Sequence, residues 1–150
     1  MSQTTKQFCT FFLNDLYFGV EVLRVQEVLR SQPMTHVPLA PAAVRGLINL
    51  RGQIVTALDL RARLELPERA GGESPMNVVI RSDDGAISLL VDEIGDVVEI
   101  SDDAFERAPD SLQGAARELV RGVYKLKDRL LLVLDTERTA SVSGPAARNN

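Results

Sequence analysis

Histidine, cysteine and paired carboxylates are what a small protein draws on for catalysis or metal binding, and this 150-residue chain has little of the first two. His36 is its only histidine and Cys9 its only cysteine, far apart in the chain. A structural or catalytic metal site needs three or four such ligands, so no metal is expected. No serine, nor Cys9, lies in a nucleophile motif, and there is no GxxxxGK or GxGxxG phosphate loop. Three acidic pairs remain, Asp83-Asp84, Asp92-Glu93 and Asp102-Asp103. Each reads more readily as a turn or a solvated face than as an acid–base couple. No enzyme activity and no cofactor are expected. Two charged residues stand apart. Glu27 and Arg51 each interrupt an apolar, strand-forming stretch. Such residues face solvent or a partner, and the two could pair with one another.

The elements that must position them centre on Val44–Arg61, VRGLINLRGQIVTALDLR. It reads as two apolar strands joined by a tight turn at Arg51-Gly52, with Gly52 supplying the positive φ that a hairpin reversal needs. Val120–Glu137, VRGVYKLKDRLLLVLDTE, repeats it at an offset of 76 positions (Val44 to Val120). Asp59 and Asp135 end equivalent strands in the two copies, and this symmetric placement suits a structural hydrogen-bonding role. A second match, at an offset of 69, lays Tyr17–Arg30 over Ala86–Glu99. It pairs Val25 with Ile94, Glu27 with Asp96 and Val28 with Val97.

In chain order, residues 1–6 are expected to form a loose arm. Two short strands follow around Asn14-Asp15, then strand, helical turn and strand through Arg30. A proline-containing loop leads to one helical turn at Ala42–Arg45 and then the central hairpin. Leu66–Pro75 is a flexible connection. Asn77–Ile80 and Ala86–Val91 form a hairpin around Asp83-Asp84-Gly85, and a short helix is predicted within Leu112–Leu119. Residues 141–150 contain no large apolar side chain and are expected to be disordered.

The fold class predicted is all-β with few short helices: two small five-stranded barrels packed about a shared hydrophobic core, closure removing the exposed edges. Their boundaries are placed at about 17–66 and 76–137, within one unit spanning 7–137, with strands near the N-terminus able to cross over. Leu23, Val25, Val28, Ile94 and Val97 could form an apolar face near the seam, although any single one of them reads better as core.

The net charge of −4 argues against nucleic-acid binding through phosphates, and the absence of tryptophan against a stacking platform for single strands. No run is long and apolar enough to span a membrane, and the polar start MSQTTKQ lacks a signal-peptide core. A lone cysteine, read as a small buried hydrophobe, fits a reducing cytoplasm.

VQEV (Val25–Val28), VRGLINLRGQIVTALDLR and LLVDEIGDVVEI (Leu89–Ile100) together resemble the CheW-type chemotaxis coupling proteins, over essentially Gln7–Glu137. The resemblance implies two SH3-like barrels without catalytic activity. It implies two partners, the cytoplasmic hairpin tip of a chemoreceptor and the regulatory domain of the histidine kinase CheA, and a cytoplasmic location with recruitment to membrane-associated receptor arrays. No nucleic acid and no direct membrane contact are implied. The receptor would lie in an apolar groove between the barrels as a helix-in-groove complex. By position, Val25, Glu27, Val28, Arg51, Gly52, Ile94 and Val97 match family receptor-contact positions. No kinase-contact residue can be named, because the chain diverges around Ala104–Ala116. Thr136–Ser141 stands where many members carry a leucine-bearing helix and offers little to pack, which puts that helix in doubt. A regulatory module that docks on the kinase without coupling is the alternative, a single-stranded nucleic-acid binder a remote third. A partly exposed groove would also favour weak self-association.

Overall fold

A computed structural model describes residues 4–68 and 74–141. The expectations for residues 1–3, 69–73 and 142–150 lie outside these. Among the described residues eleven strands and three short helices follow one another: β1 (Thr5–Leu13), β2 (Leu16–Glu21), β3 (Val25–Leu29), β4 (Val44–Leu50), β5 (Gln53–Asp59), α1 (Leu60–Arg63), β6 (Met76–Ser82), β7 (Gly85–Val91), β8 (Glu93–Ser101), β9 (Phe105–Glu106), α2 (Gly114–Leu119), β10 (Val120–Lys125), β11 (Leu130–Leu134) and α3 (Thr136–Ala140). Single 3-10 turns, Val22–Arg24 and Asp102–Ala104, precede β3 and β9.

The strands form two sheets, ordered β8-β1-β2-β11-β10-β9 and β3-β6-β7-β5-β4. When β1, β2, β3, β4 and β5 are matched to β6, β7, β8, β10 and β11, the two orders coincide, with β9 as the single addition. The repeat is therefore real, but the barrels do not coincide with its halves. The hairpin β1–β2 of the first copy completes the sheet of the second copy, and the hairpin β6–β7 of the second completes that of the first. The expected barrel boundaries, 17–66 and 76–137, are thus corrected: one sheet takes β3 to β7, and the other takes β1 and β2 together with β8 to β11. Asp92 alone separates β7 from β8. That is too short for a hairpin reversal, so the chain runs straight on into the neighbouring sheet.

Three further expectations change. The strand β1 begins at Thr5, so Thr5 and Lys6 belong to the sheet, opposite Ser101 and Ile100, and not to a loose arm. At Ala42-Ala43 the chain makes only a turn, closed by Val44 N–H donating to the Pro41 carbonyl (2.9 Å), and β4 starts at Val44. A C-terminal helix does form. Thr136, Thr139 and Ala140 of α3 are buried although none is large, and Asp135 caps it by accepting from Arg138 N–H at 3.0 Å. Asp59 caps α1 in the same way, accepting from Arg61 N–H at 3.0 Å.

The largest core is shared. Phe11, Phe18 and Leu132 of one sheet meet Leu58, Ile80 and Leu89 of the other within one buried cluster. Each barrel also keeps an interior of its own, Phe8, Tyr124 and Leu131 in one and Ile48, Val55 and Val79 in the other. The repeated Val-Arg-Gly has a local explanation. Register shifts at Val44/Gly46 and Val120/Gly122 mark a bulge in each copy. The bulged Arg45 and Arg121 reach Asp59 (2.8 Å) and Glu21 (3.1 Å). The glycines admit a crossing segment. A Cβ on Gly46 would stand 2.7 Å from the Thr35 carbonyl, and one on Gly122 would stand 2.6 Å from the Glu106 carbonyl and strike the Phe105 ring.

Candidate functional site: the edge strand β3 and the β4–β5 turn

The turn joining β4 to β5 places both Arg51 (φ 52°) and Gly52 (φ 89°) in the left-handed region, the twist that a two-residue hairpin favours. Asn49 Oδ1 accepts from Gly52 N–H at 2.8 Å and tightens it. The turn holds Arg51 out into solvent, its side chain 70 % exposed.

Arg51 there meets Glu27, donating to its carboxylate. Glu27 belongs to β3, which lies at the far end of the same sheet, at its edge, and pairs only with β6. Beside this pair Gln26 donates to Gln53 at 3.2 Å. Two side-chain bonds thus link β3 to the β4–β5 hairpin at the far end of the five-strand order, one at its turn (Arg51) and one at the start of β5 (Gln53), and no backbone ladder joins β3 to that hairpin among the described residues. The hydrogen bond from Arg51 holds the Glu27 carboxyl below the ordinary carboxylate range.

Apolar surface surrounds the pair. Val28 on β3, Leu23 in the preceding 3-10 turn and Ile54 at the start of β5 are all exposed. Val25 is half-buried against the shared core. On the other sheet Ile94 also packs on the shared core, whereas Val97 stands exposed on β8 opposite Cys9. Of the residues expected from sequence, Glu27, Arg51 and Gly52 are brought together, with Val25 and Val28 on the same strand as Glu27. Ile94 and Val97 lie on a different edge strand of the other sheet. Ile54 escaped sequence reading inside an unbroken apolar run. Its signal is parity, since Val55 and Ala57 point inward and Ile54 therefore points out.

A second cluster was also missed. The Arg61 guanidinium bonds both carboxylate oxygens of Asp92, with Nε donating at 2.9 Å, and also donates to Asn14 Oδ1 (2.6 Å) and the Pro67 carbonyl (2.8 Å). Asn14 N–H donates to Asp92 at 2.8 Å. Asp92 is thus neither a turn residue nor part of a solvated face. Its partner lies 31 positions away along the chain, and nothing in the spacing announces it.

Cys9 is half-buried, and burial raises its thiol pKa. No group of three or more His, Cys, Asp or Glu that could hold a metal ion occurs among the described residues. No helix there is long and apolar enough to cross a membrane.

A family model described as a CheW-like domain matches residues 7–143. The chemotaxis protein CheW of Treponema pallidum is 28 % identical over 139 residues, covering 90 % of this chain and 82 % of that protein. The chemotaxis protein CheW of Bacillus subtilis is 29 % identical over 133 residues, covering 89 % and 85 %. The crystal structure of the scaffolding protein TtCheW from Thermoanaerobacter tengcongensis superposes with a TM-score of 0.83 at 25 % identity, covering 94 % of this chain and 96 % of that one.

Proposed function

Since the chain belongs to the CheW-like family, we propose that it is a non-catalytic adaptor that couples the cytoplasmic tips of chemoreceptors to the histidine kinase CheA. The family match and the likeness to a scaffolding protein support a role in chemotaxis signalling through protein partners. The observation that carries the receptor side is the Glu27–Arg51 pair, fixed at a barrel seam among the exposed Leu23, Val28 and Ile54. A surface of this kind offers an apolar helix a place to lie and a charged pair to set its register. In this reading Val25, Glu27, Val28, Arg51 and Gly52 form one wall of the receptor groove, and Ile94 and Val97 form the other.

The test is a titration of the full chain against a receptor cytoplasmic fragment and, separately, against the regulatory domain of the kinase. Binding to both at once supports coupling. Binding to the kinase domain alone would reduce the protein to a regulatory module. Glu27→Ala and Arg51→Ala should each weaken receptor binding while leaving the kinase titration unchanged. Full receptor affinity in both variants would remove this surface from the proposal.

A further inference from the structure

The hairpin exchange leaves two places where the chain passes from one sheet to the other, the 3-10 turn Val22–Arg24 between β2 and β3, and Asp92 between β7 and β8. These crossings directly precede the two strands that carry the candidate receptor contacts. A charged side chain from a short helix holds each of them. Arg61 of α1 holds Asp92, and Glu137 of α3 holds Arg24 at 3.0 Å. Arg61 and Glu137 are repeat equivalents at the offset of 76, so the two clamps are the same device with its charges reversed. Each also takes hold of an exchanged hairpin at its turn. Arg61 donates to the Asn14 side chain, and Glu137 accepts from Asp83 N–H at 3.1 Å, Asn14 and Asp83 being equivalents at the offset of 69.

The two clamps differ in one respect that matters for movement. The Arg61 and Asp92 side chains are 6 % and 14 % exposed, and several bonds hold them. The Arg24 and Glu137 side chains are 44 % and 36 % exposed, and a single hydrogen bond joins them. They also line an open cleft of about 410 Å³ with Glu21, Arg121, Asp135 and Thr136. Water therefore has a path to the second clamp and can take its place, whereas breaking the first would strand a buried charge. The strands follow suit. The nine-residue β8 keeps a long ladder with β1, while the five-residue β3 is paired only with β6 and closed by side chains at the seam.

We infer that Arg24 and Glu137 form a releasable latch and act as positioning residues for β3. The Arg61–Asp92 clamp fixes β8 as the stationary wall of the receptor groove, and β3 is the wall that moves. Arg81 steadies the start of β3 by donating to the carbonyls of Leu23 (3.3 Å) and Val25 (3.2 Å), so release of the latch loosens the strand without freeing it. The groove assignment rests on the coupling function proposed above, but the latch can be tested without a receptor.

The experiment is amide hydrogen exchange on the full chain, comparing wild type, Arg24→Gln, Glu137→Gln and the double variant. Exchange in Val25–Leu29 should speed up by about two- to fivefold in either single variant, as expected on loss of an exposed ion pair. The double variant should exchange no faster than the quicker single one, because both remove the same contact. Exchange in Glu93–Ser101 should stay as in wild type. Unchanged β3 exchange would overturn the inference, as would equal acceleration in β3 and β8, or additive effects in the double variant. If the exchange result holds but the four proteins bind a receptor fragment with identical kinetics, the latch stands and the groove assignment fails.

Discussion

Glu27 on β3 opens the order β3-β6-β7-β5-β4 and Arg51 sits in the turn joining its last two strands, yet their side chains are bonded. The polar contact at this barrel's seam is reachable from outside, with the Arg51 side chain exposed, so its electrostatics are open to measurement.

Arg51 holds the Glu27 carboxyl below the ordinary range. A carboxylate depressed in the folded state contributes its stability above the unfolded value and loses it as the pH falls through the folded one. Carbonyl-detected NMR titration should find Glu27 ionised at pH values where ordinary glutamates are half protonated. In Arg51→Ala its midpoint should rise to the ordinary range. An unmoved midpoint would mean that Arg51 is not the partner in solution.

The Arg61–Asp92 pair answers to a different rule. Removing one partner from a buried, hydrogen-bonded pair leaves a charge without compensation, at a cost of about 3–5 kcal/mol. Asp92→Ala and Arg61→Met should each lower the urea midpoint by a corresponding amount, while Arg24→Gln should lower it far less. Midpoints lowered equally in all three variants would erase the distinction between the two clamps.

Gly46→Ala and Gly122→Ala should each destabilise by about 1–3 kcal/mol, the usual cost of forcing atoms into a packed site. The atoms in the way are the Thr35 carbonyl in one copy, and the Phe105 ring together with the Glu106 carbonyl in the other. Gly52→Ala separates sterics from conformation. Nothing lies within 4 Å of its Cβ, so the penalty comes only from a φ of 89° and should be about 1–2 kcal/mol. Thermal unfolding of the three variants ranks these costs.

Leu131 is fully buried inside the barrel that holds Phe8 and Tyr124. Truncation to alanine should cost about 2–5 kcal/mol. Because the main core is shared between the sheets, the loss should appear as one lower transition for the whole chain, followed by circular dichroism, and not as early melting of one barrel.

Much of the fold was legible because its signals are local. Asn14-Asp15, Arg51-Gly52 and Asp83-Asp84-Gly85 mark turns by their residue types, and the flanking apolar runs mark strands. The repeat announced itself through Val-Arg-Gly and Leu-Asp, for reasons visible in the bulges, the crossing segments and the helix caps. Pairing partners were not legible. Strand periodicity says which face of β1 is buried but not that β8 will lie beside it, so the sequence alone points to barrels that follow the halves of the repeat. The Arg61–Asp92 bond escaped for the same reason. The stretch that forms α3 offers no large apolar side chain to announce a helix, but Thr136 and Thr139 are buried in it with a capping aspartate in front.

The exchange of hairpins also settles what can be cut from this protein. A break in the connection between Leu66 and Pro75 would yield two fragments, each owning strands of both sheets and a complete set of neither. Neither piece can bury its apolar faces alone, yet together they hold every strand the intact chain has. Mixed in equal amounts, they should recover the fold in a bimolecular reaction that slows on dilution, like a heterodimer whose two subunits happen to be written on one polypeptide.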